Sequence, residues 1–534
     1  MRREDFELAI QNVVSFGDTD IFPYPIETHV FHDRREEALR LLQDIDSSFD
    51  DYFTNSPPTH LNALSPVGHT GFRWSTQLDP VWNLYVLAMV IALGPEIEAA
   101  RLPIDDQIVF SYRFTPDGAT GQLFRSDVGW REFQTRSFTL CDNFEFVLVC
   151  DISEFYSRIY HHRLENALKQ TTRSHLPHRL MRFLQNFSNN NSYGLPVGGP
   201  AARLLAELVL NRTDRLFVAN GVTFCRFADD YHIFANSVGE AYAKLILISE
   251  KLLSNKGLSL QKAKTRILTA AEFRAGSDLA QPPTDDDSDL LRREARSFIT
   301  FSLRFDPYSP NAVEEYERLK EEVSKFDIVG LLGRELKKTR VHTALTKKLL
   351  AAIRYLSPTA QNELVKSLLD NLDSLAPLLP NVMTVIRSVF GTLDPSTKAF
   401  VISVVQALVR SESPLAQLDL NLAYMLRVVG CQPSPEAEEI LVAVYNRNTH
   451  PLIRKEVILL MAKIGASYWI SDVRARYALL SPWEKRSFIV ASYLLADEGK
   501  HWRQHERAKF LPFDALIRDW ASDRWQSPTW TIPV

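Results

Sequence analysis

The chain has 534 residues, 45% of them hydrophobic and 24% charged, with a formal net charge of −4. That is the composition of an ordinary soluble protein, long enough for two or more domains with separate cores. The near balance of charge excludes a global basic field for nucleic acid, so any polynucleotide contact must be a local groove. Four cysteines, Cys141, Cys150, Cys225 and Cys431, lack metal-ligand spacing and suit a reducing, cytoplasmic compartment. The opening MRREDFELAI places acids directly after its arginines and has no apolar core, so no export signal is expected.

In chain order, residues 1–142 hold DTDIFPYPIE, a predicted helix over Arg34 to Ile45, and a Ser/Pro/Gly-rich loop between Asn55 and Gly71. The apolar run Val81 to Leu93 is shorter than the ~20 residues that cross a bilayer, so it reads as a buried helix and no membrane partner is expected. Ile108 to Phe114 alternates like a strand and carries Arg113 near its end. Arg125 precedes Gly129 and Trp130.

Phe144 to Cys150 is an almost unbroken apolar run ending in Asp151, as expected for a buried strand that delivers an acid at its tip. Helix capping is the competing role for that acid. A largely helical stretch follows with Arg158, Arg163, Lys169, Arg173, Arg179 and Arg182, a local basic excess suited to a polynucleotide track or to a solvated face. Next, SYGLPVGGPAARLLAEL sets glycines at 194, 198 and 199 in a tight loop before a helix, in which Arg203 and Glu207 stand one turn apart as a local pair.

FCRFADDYHIFA then reads as a β-hairpin with Asp229 and Asp230 at its tip. Acid pairs alone are weak signals, since Asp50-Asp51, Asp105-Asp106 and Asp285 to Asp287 occur elsewhere. The force of this pair comes from Asp151. A strand end and a hairpin tip in one sheet can hold carboxylates that repel each other until divalent metal, naturally Mg²⁺ bound with substrate phosphates, neutralises them. A helix from about Val238 to Asn255, closed by Gly257, leads to LSLQKAKTRIL with Lys264.

These stretches, taken together, resemble motifs A to D of reverse transcriptases: Asp151 with Phe155 and Tyr156, GLPVGGP, FADD, and GLSLQKAKT. Residues 15 to 275 carry the resemblance, and DISEFYSRIYHH and GLPVGGPAARLLAEL are most similar to the bacterial abortive-infection branch. It implies fingers and an N-terminal extension over 1–142 and a palm over 143–276. It also implies two Mg²⁺ ions (Mn²⁺ as a substitute) held by Asp151, Asp229 and the Ile152 backbone, with Asp230 supporting. Tyr156, beside Phe155, would exclude a ribose 2′-hydroxyl and favour dNTPs. Arg113 would meet triphosphate oxygens, and Lys264 would protonate the leaving pyrophosphate. Val197, beside Gly198, stands where templated relatives carry glutamine, and the branch is associated with untemplated, protein-primed DNA synthesis in defence against phage. Tyr24, Tyr52 and Tyr193 are then candidate priming hydroxyls for a covalently attached single-stranded DNA product. Templated reverse transcription of the retron or group II intron type, and a degenerate palm serving as a nucleic-acid-binding or assembly protein, are the alternatives.

SDLAQPPTDDDSD marks a linker over 277–290. Beyond it, residues 291–534 are helical by pattern over 341–356, 361–372, 399–409, 418–429 and 436–445. Turn signatures at Leu356, Leu393, Ser434 and Leu480 recur near the HEAT or armadillo period, so an irregular α-solenoid is expected. The expected whole is an α+β protein, reverse-transcriptase-like fingers and α/β palm followed by an all-α HEAT-like domain, in a homo-oligomer (trimer or hexamer). Trp502, Trp520, Trp525 and Trp530 are candidates for base stacking or for packing.

Overall fold

A computed structural model describes residues 1–276, scattered positions between 294 and 303, 312–338 and 341–534, so the linker predicted at 277–290 lies outside the described residues. The chain divides into two compact units. The first comprises Met1–Asp20, Glu27–Asn62 and Ser75–Gln281, the second Ile21–Ile26, Ala63–Trp74 and Pro282–Val534.

Helices α1 (Arg3–Phe16), α2 (Ile26–Asp33), α3 (Arg35–Ser47) and α4 (Phe49–Asn55) come first. Strands β1 (His60–Pro66) and β2 (Phe72–Leu78) follow as a two-stranded sheet. This corrects the loop expected at 55–71: Leu61, Ala63 and Ser65 alternate inward along β1, and the Pro/Gly cluster supplies only the turn, where the Val67 amide donates to the Gly71 carbonyl at 2.8 Å. Next is α5 (Pro80–Ala100), started by the Asp79 side chain, which accepts from the Val81 and Trp82 amides. By length and composition α5 could span a bilayer, but 83% of its most apolar stretch is buried inside the protein, as a core helix.

The remaining elements of this unit are α6 (Trp130–Leu140), β3 (Phe146–Asp151), α7 (Phe155–Arg158), α8 (His161–Thr171), α9 (Leu176–Phe187), α10 (Pro200–Ala219), β4 (Phe224–Phe227), β5 (Asp230–Ala235), α11 (Val238–Lys256), β6 (Arg266–Thr269) and α12 (Ala270–Ala275). The four strands form one sheet in the order β4-β5-β3-β6, antiparallel throughout, so the segment expected as an α/β palm is α+β. Val147, Leu148 and Cys150 of central β3 are fully buried, which explains its unbroken apolar run. Behind the sheet, α11 begins at the Ser237 cap and stops at Gly257, whose φ of 70° is the left-handed value a helix C-terminus favours.

Ile108 to Phe114 is not a strand. It makes isolated bridges, Val109 to Arg226 and Phe114 to Phe124, because Tyr112 takes a positive φ of 46° that breaks the extended run. Beside it lies a buried charge network. The Arg226 guanidinium donates to both carboxylate oxygens of Glu207 (3.1 and 2.8 Å) and of Asp214 (3.0 and 2.7 Å), and to the Ala228 carbonyl at 2.8 Å. Arg101 and Ser111 complete Glu207 at 2.7 and 2.6 Å, and the Tyr231 hydroxyl donates to Asp214 at 3.1 Å. Glu207 is therefore not the partner of Arg203. It is held below the usual carboxylate range because Arg226 and Arg101 outweigh its burial.

In the second unit, helices pack on the helix two places ahead, in two rows. One runs through Thr343–Ala352, Leu379–Val389, Asp419–Val429, Pro451–Lys463, Pro482–Ala491 and Pro512–Trp525, the other through Pro358–Asp370, Pro395–Arg410 and Pro435–Arg447. The recurring turn signatures are helix starts. Ser357, Asp394, Ser434 and Ser481 each cap a helix whose first residue is proline. The late tryptophans are packed: Trp520 is fully buried against Trp530, Trp525 also meets Trp530, and Trp502 sits among Tyr477, Phe488 and Phe510. The segment Ile21–Ile26 is tied here by Tyr424, which donates to the Ile21 carbonyl at 3.1 Å, and by Arg427, which donates to that of Tyr24 at 2.9 Å.

Replacing Arg226 by Met leaves Asp214 and Glu207 buried with their main cation gone. The expected loss is about 3–5 kcal/mol of stability, measured by urea denaturation. An unchanged midpoint would show that the network does not hold this unit together.

Candidate active site

The register of the sheet brings the acids together. Asp151, last in β3, pairs with Asp230, first in β5. The two residues before Asp230 make the tight turn from β4, with Ala228 at a φ of 52° and fixed by Arg226 through its carbonyl. Asp229, in that turn, accepts from the Ile152 amide through its backbone carbonyl at 3.1 Å, which locks turn to strand end. On its other edge β3 outruns β6, which stops opposite Val149. The exposed edge is met instead by residues 259–264: Ser153 donates to the Ser259 carbonyl and Gln261 to that of Asp151, both at 2.8 Å. This loop delivers Lys264, whose ammonium forms an ion pair with the Asp151 carboxylate.

Three carboxylates and one ammonium therefore share the end of the sheet, and their electrostatics show the strain. Burial, followed by the charge of Asp151, pushes Asp229 up to about 6. Burial, followed by Asp229 and Asp151, pushes Asp230 up to about 7. Burial pulls Lys264 down, but its hydrogen bond to Asp151 and the surrounding acids outweigh that and raise it.

This donor set fits a hard divalent cation. Among the described residues no three His, Cys, Asp or Glu side chains converge as a ready cage. Mg²⁺ does not require one, because it is usually held by one or two carboxylates with waters and substrate phosphates. No donor among the described residues reaches the Ile152 carbonyl, which leaves it available as a further oxygen ligand.

Phe155 is buried with its ring 5.4 Å from that of Tyr156. Burial lifts the Tyr156 phenol well above its ordinary value, with Tyr112, Glu207 and Asp229 adding to it. Tyr112 was missed by sequence reasoning, which followed the arginine next to it. Its ring packs on Phe227 at 5.8 Å beneath the Arg203 guanidinium at 5.4 Å, and a positive φ at a tyrosine leaves no sequence signature. Val197 accepts from the Thr76 amide at 3.4 Å. Gly198, at a φ of 127°, has no room for a side chain, since a Cβ would sit 2.8 Å from Thr19 Oγ1.

Other expected residues are engaged elsewhere. The Arg113 guanidinium is buried, paired with Glu98 at 2.6 Å and bonded to the Leu102 carbonyl, so it is not presented to a triphosphate. Arg125 pairs with Asp127, and Arg203 with Asp20 at 3.5 Å. In the basic stretch Arg158 pairs with Glu154, Lys169 with Glu165, Arg179 with Asp46 and Arg182 with Asp50. Tyr52 lies inside α4 with its ring on Trp82, Tyr193 is 43% exposed, and Tyr24 belongs to the second unit.

The raised carboxyls give a sign. A carboxyl whose folded value exceeds its unfolded one favours the folded state when protonated, and that contribution is lost as pH rises from 3.8 through about 6 to 7. A divalent cation relieves the repulsion. The rise in melting temperature on adding Mg²⁺ or Mn²⁺ is therefore expected to be larger at about pH 8 than at about pH 5.5, and absent in Asp229→Asn. A pH-independent rise in both proteins would contradict the cluster.

Residues 120–315 match the family profile described as reverse transcriptase (RNA-dependent DNA polymerase). No curated protein matches the sequence. Among solved structures, telomerase from Candida albicans, in complex with a TWJ fragment of telomeric RNA, is 12% identical, with 71% of this chain and 69% of that chain covered and a TM-score of 0.29. Apo telomerase from Candida tropicalis is 9% identical, with 78% and 72% covered and a TM-score of 0.31. Residues 120–315 are thus a reverse transcriptase domain, and the chain is a nucleotidyltransferase, a DNA polymerase of the reverse transcriptase type.

Proposed function

We propose that this chain polymerises dNTPs without a template, primed on a hydroxyl of the protein itself, in abortive-infection defence against phage. The observation that carries the reading is the convergence of Asp151, Asp229 and Asp230 at one end of the palm sheet. Asp151, Asp229 and the Ile152 carbonyl would hold Mg²⁺, as a pair of ions completed by substrate phosphates, with Mn²⁺ as substitute. Bound there, the metal would lower the pKa of the attacking hydroxyl and neutralise developing phosphate charge. The residues do the rest. Tyr156, its ring held beside Phe155, bars a 2′-hydroxyl and so selects deoxynucleotides. Lys264, kept charged by Asp151, is placed to give its proton to departing pyrophosphate.

Val197, an apolar residue in the loop where templated relatives use an amide, supports synthesis without a template. Tyr193, 43% exposed, is the better priming candidate, because Tyr52 is fixed within a helix. The two helix rows support a HEAT-like domain that joins copies into a trimer or hexamer. Four cysteines without a disulfide support a cytoplasmic setting.

Purified protein incubated with dNTPs and Mg²⁺ should form DNA of the same yield with and without RNA, in an adduct that protease shortens. Dependence on RNA would make it a templated polymerase, and no polymer under any condition would make it a binding or assembly protein. Asp229→Ala should abolish synthesis and leave the melting temperature unchanged or raised, because it removes a repelled buried charge. Synthesis surviving in that variant would overturn the site.

A further inference from the structure

A second cationic feature lies outside the carboxylate cluster. Lys256, last in α11, is 8% exposed, and among the described residues no hydrogen bond or ion pair meets its ammonium. Burial, followed by the charges of Arg212 on α10 and Arg163 on α8, pulls it down to about 8. Neither arginine has an ion pair or side-chain hydrogen bond among the described residues. The one acid that offsets them, Asp214, is already held by Arg226 and Tyr231. Three helices thus gather three cations whose one offsetting acid is already engaged. A lysine so enclosed beside two arginines carries an electrostatic cost that an arriving anion would repay.

The surroundings narrow the ligand. Gly257, next to Lys256, lies against the Tyr160 ring, and a Cβ there would be 2.9 Å from Tyr160 Cε2. Tyr160 is 45% exposed and its ring centroid is 6.1 Å from that of Tyr193. The backbone segments that carry these rings are the ones that frame the nucleotide residues: Leu195 donates to the Tyr156 carbonyl and Gly194 to that of Ile159, both at 2.9 Å. Cations spread over three helices beside exposed aromatic rings match a strand of repeating phosphates and bases better than a compact anion.

We propose that Lys256, Arg163 and Arg212, with Tyr160 and Tyr193 alongside, form a binding patch for the phosphodiester backbone of single-stranded DNA, the growing product. This rests on the polymerase reading for the identity of the strand, but not for the binding itself. The test is fluorescence anisotropy of a labelled 20-nucleotide oligo(dT) on full-length Asp229→Ala protein, which cannot extend it. The comparison is the same protein carrying R163Q, R212Q and K256M, whose methionine keeps the buried stem.

Single strands lose about 0.7 in the slope of log K against log salt per phosphate contact. The triple substitution should therefore flatten the slope by roughly 2 and weaken binding at least about tenfold at 0.1 M salt. Equal affinity and slope in both proteins would overturn the patch. So would displacement of oligo(dT) by inorganic pyrophosphate at equimolar phosphate, which would mark a site for a compact anion. In catalytically intact protein the triple substitution should shorten products while first-nucleotide incorporation persists. Failure of wild-type synthesis with binding as expected would instead count against the polymerase reading alone.

Discussion

The geometry of the palm depends on one buried guanidinium. Arg226 sits within FCRFADD, three residues before Asp229, and binds Glu207, Asp214 and the carbonyl of the turn residue Ala228 together. Through it, the helix that follows the GLPVGGP loop is fixed to the hairpin that carries the acids. Buried ion pairs are weak evidence for net stability, because desolvation consumes most of the Coulombic gain. What this network supplies is position. An apolar contact would tolerate a slip of the turn, whereas six donor-acceptor geometries around one planar group do not.

That fixed frame holds a deliberately unfavourable arrangement at its edge. Asp229 and Asp230 carry raised carboxyls because burial and mutual repulsion work against ionisation, and Lys264, paired with Asp151, relieves both only in part, with Arg226 and a backbone hydrogen bond helping at Asp229. Such tension is stable only if the surrounding structure over-determines the backbone. Here the antiparallel ladder from β3 to β5 and the Ile152 to Asp229 bond do so. Perturbed carboxyls gathered at a strand end, in a domain of reverse transcriptase type, are what make this end of the sheet the candidate site.

Much of this was legible in the sequence where the chemistry is local. The β3 run, the FADD hairpin, the Gly257 stop and the Ser-Pro or Asp-Pro helix starts each carry their own signal, in periodicity, turn residues or caps. The misses share a cause. Arg113, Arg203 and Glu207 read as local or ligand-facing charges, but long side chains find partners far along the chain, and pairing between Arg101 and Glu207 has no sequence spacing. Ile108 to Phe114 alternated like a strand, yet the positive φ at Tyr112 is a tertiary demand that no pattern announces. The strand at 60–66 hid behind a proline- and glycine-rich turn that looked like the whole segment.

The central claim is that Asp151 and Asp229 bind divalent metal jointly. It is tested most directly by anomalous diffraction at the manganese edge, from crystals holding Mn²⁺ and a non-hydrolysable dNTP. The account predicts anomalous peaks ligated by both carboxylates and contacting the triphosphate. Peaks elsewhere, or a nucleotide bound with no metal on either acid, would contradict it.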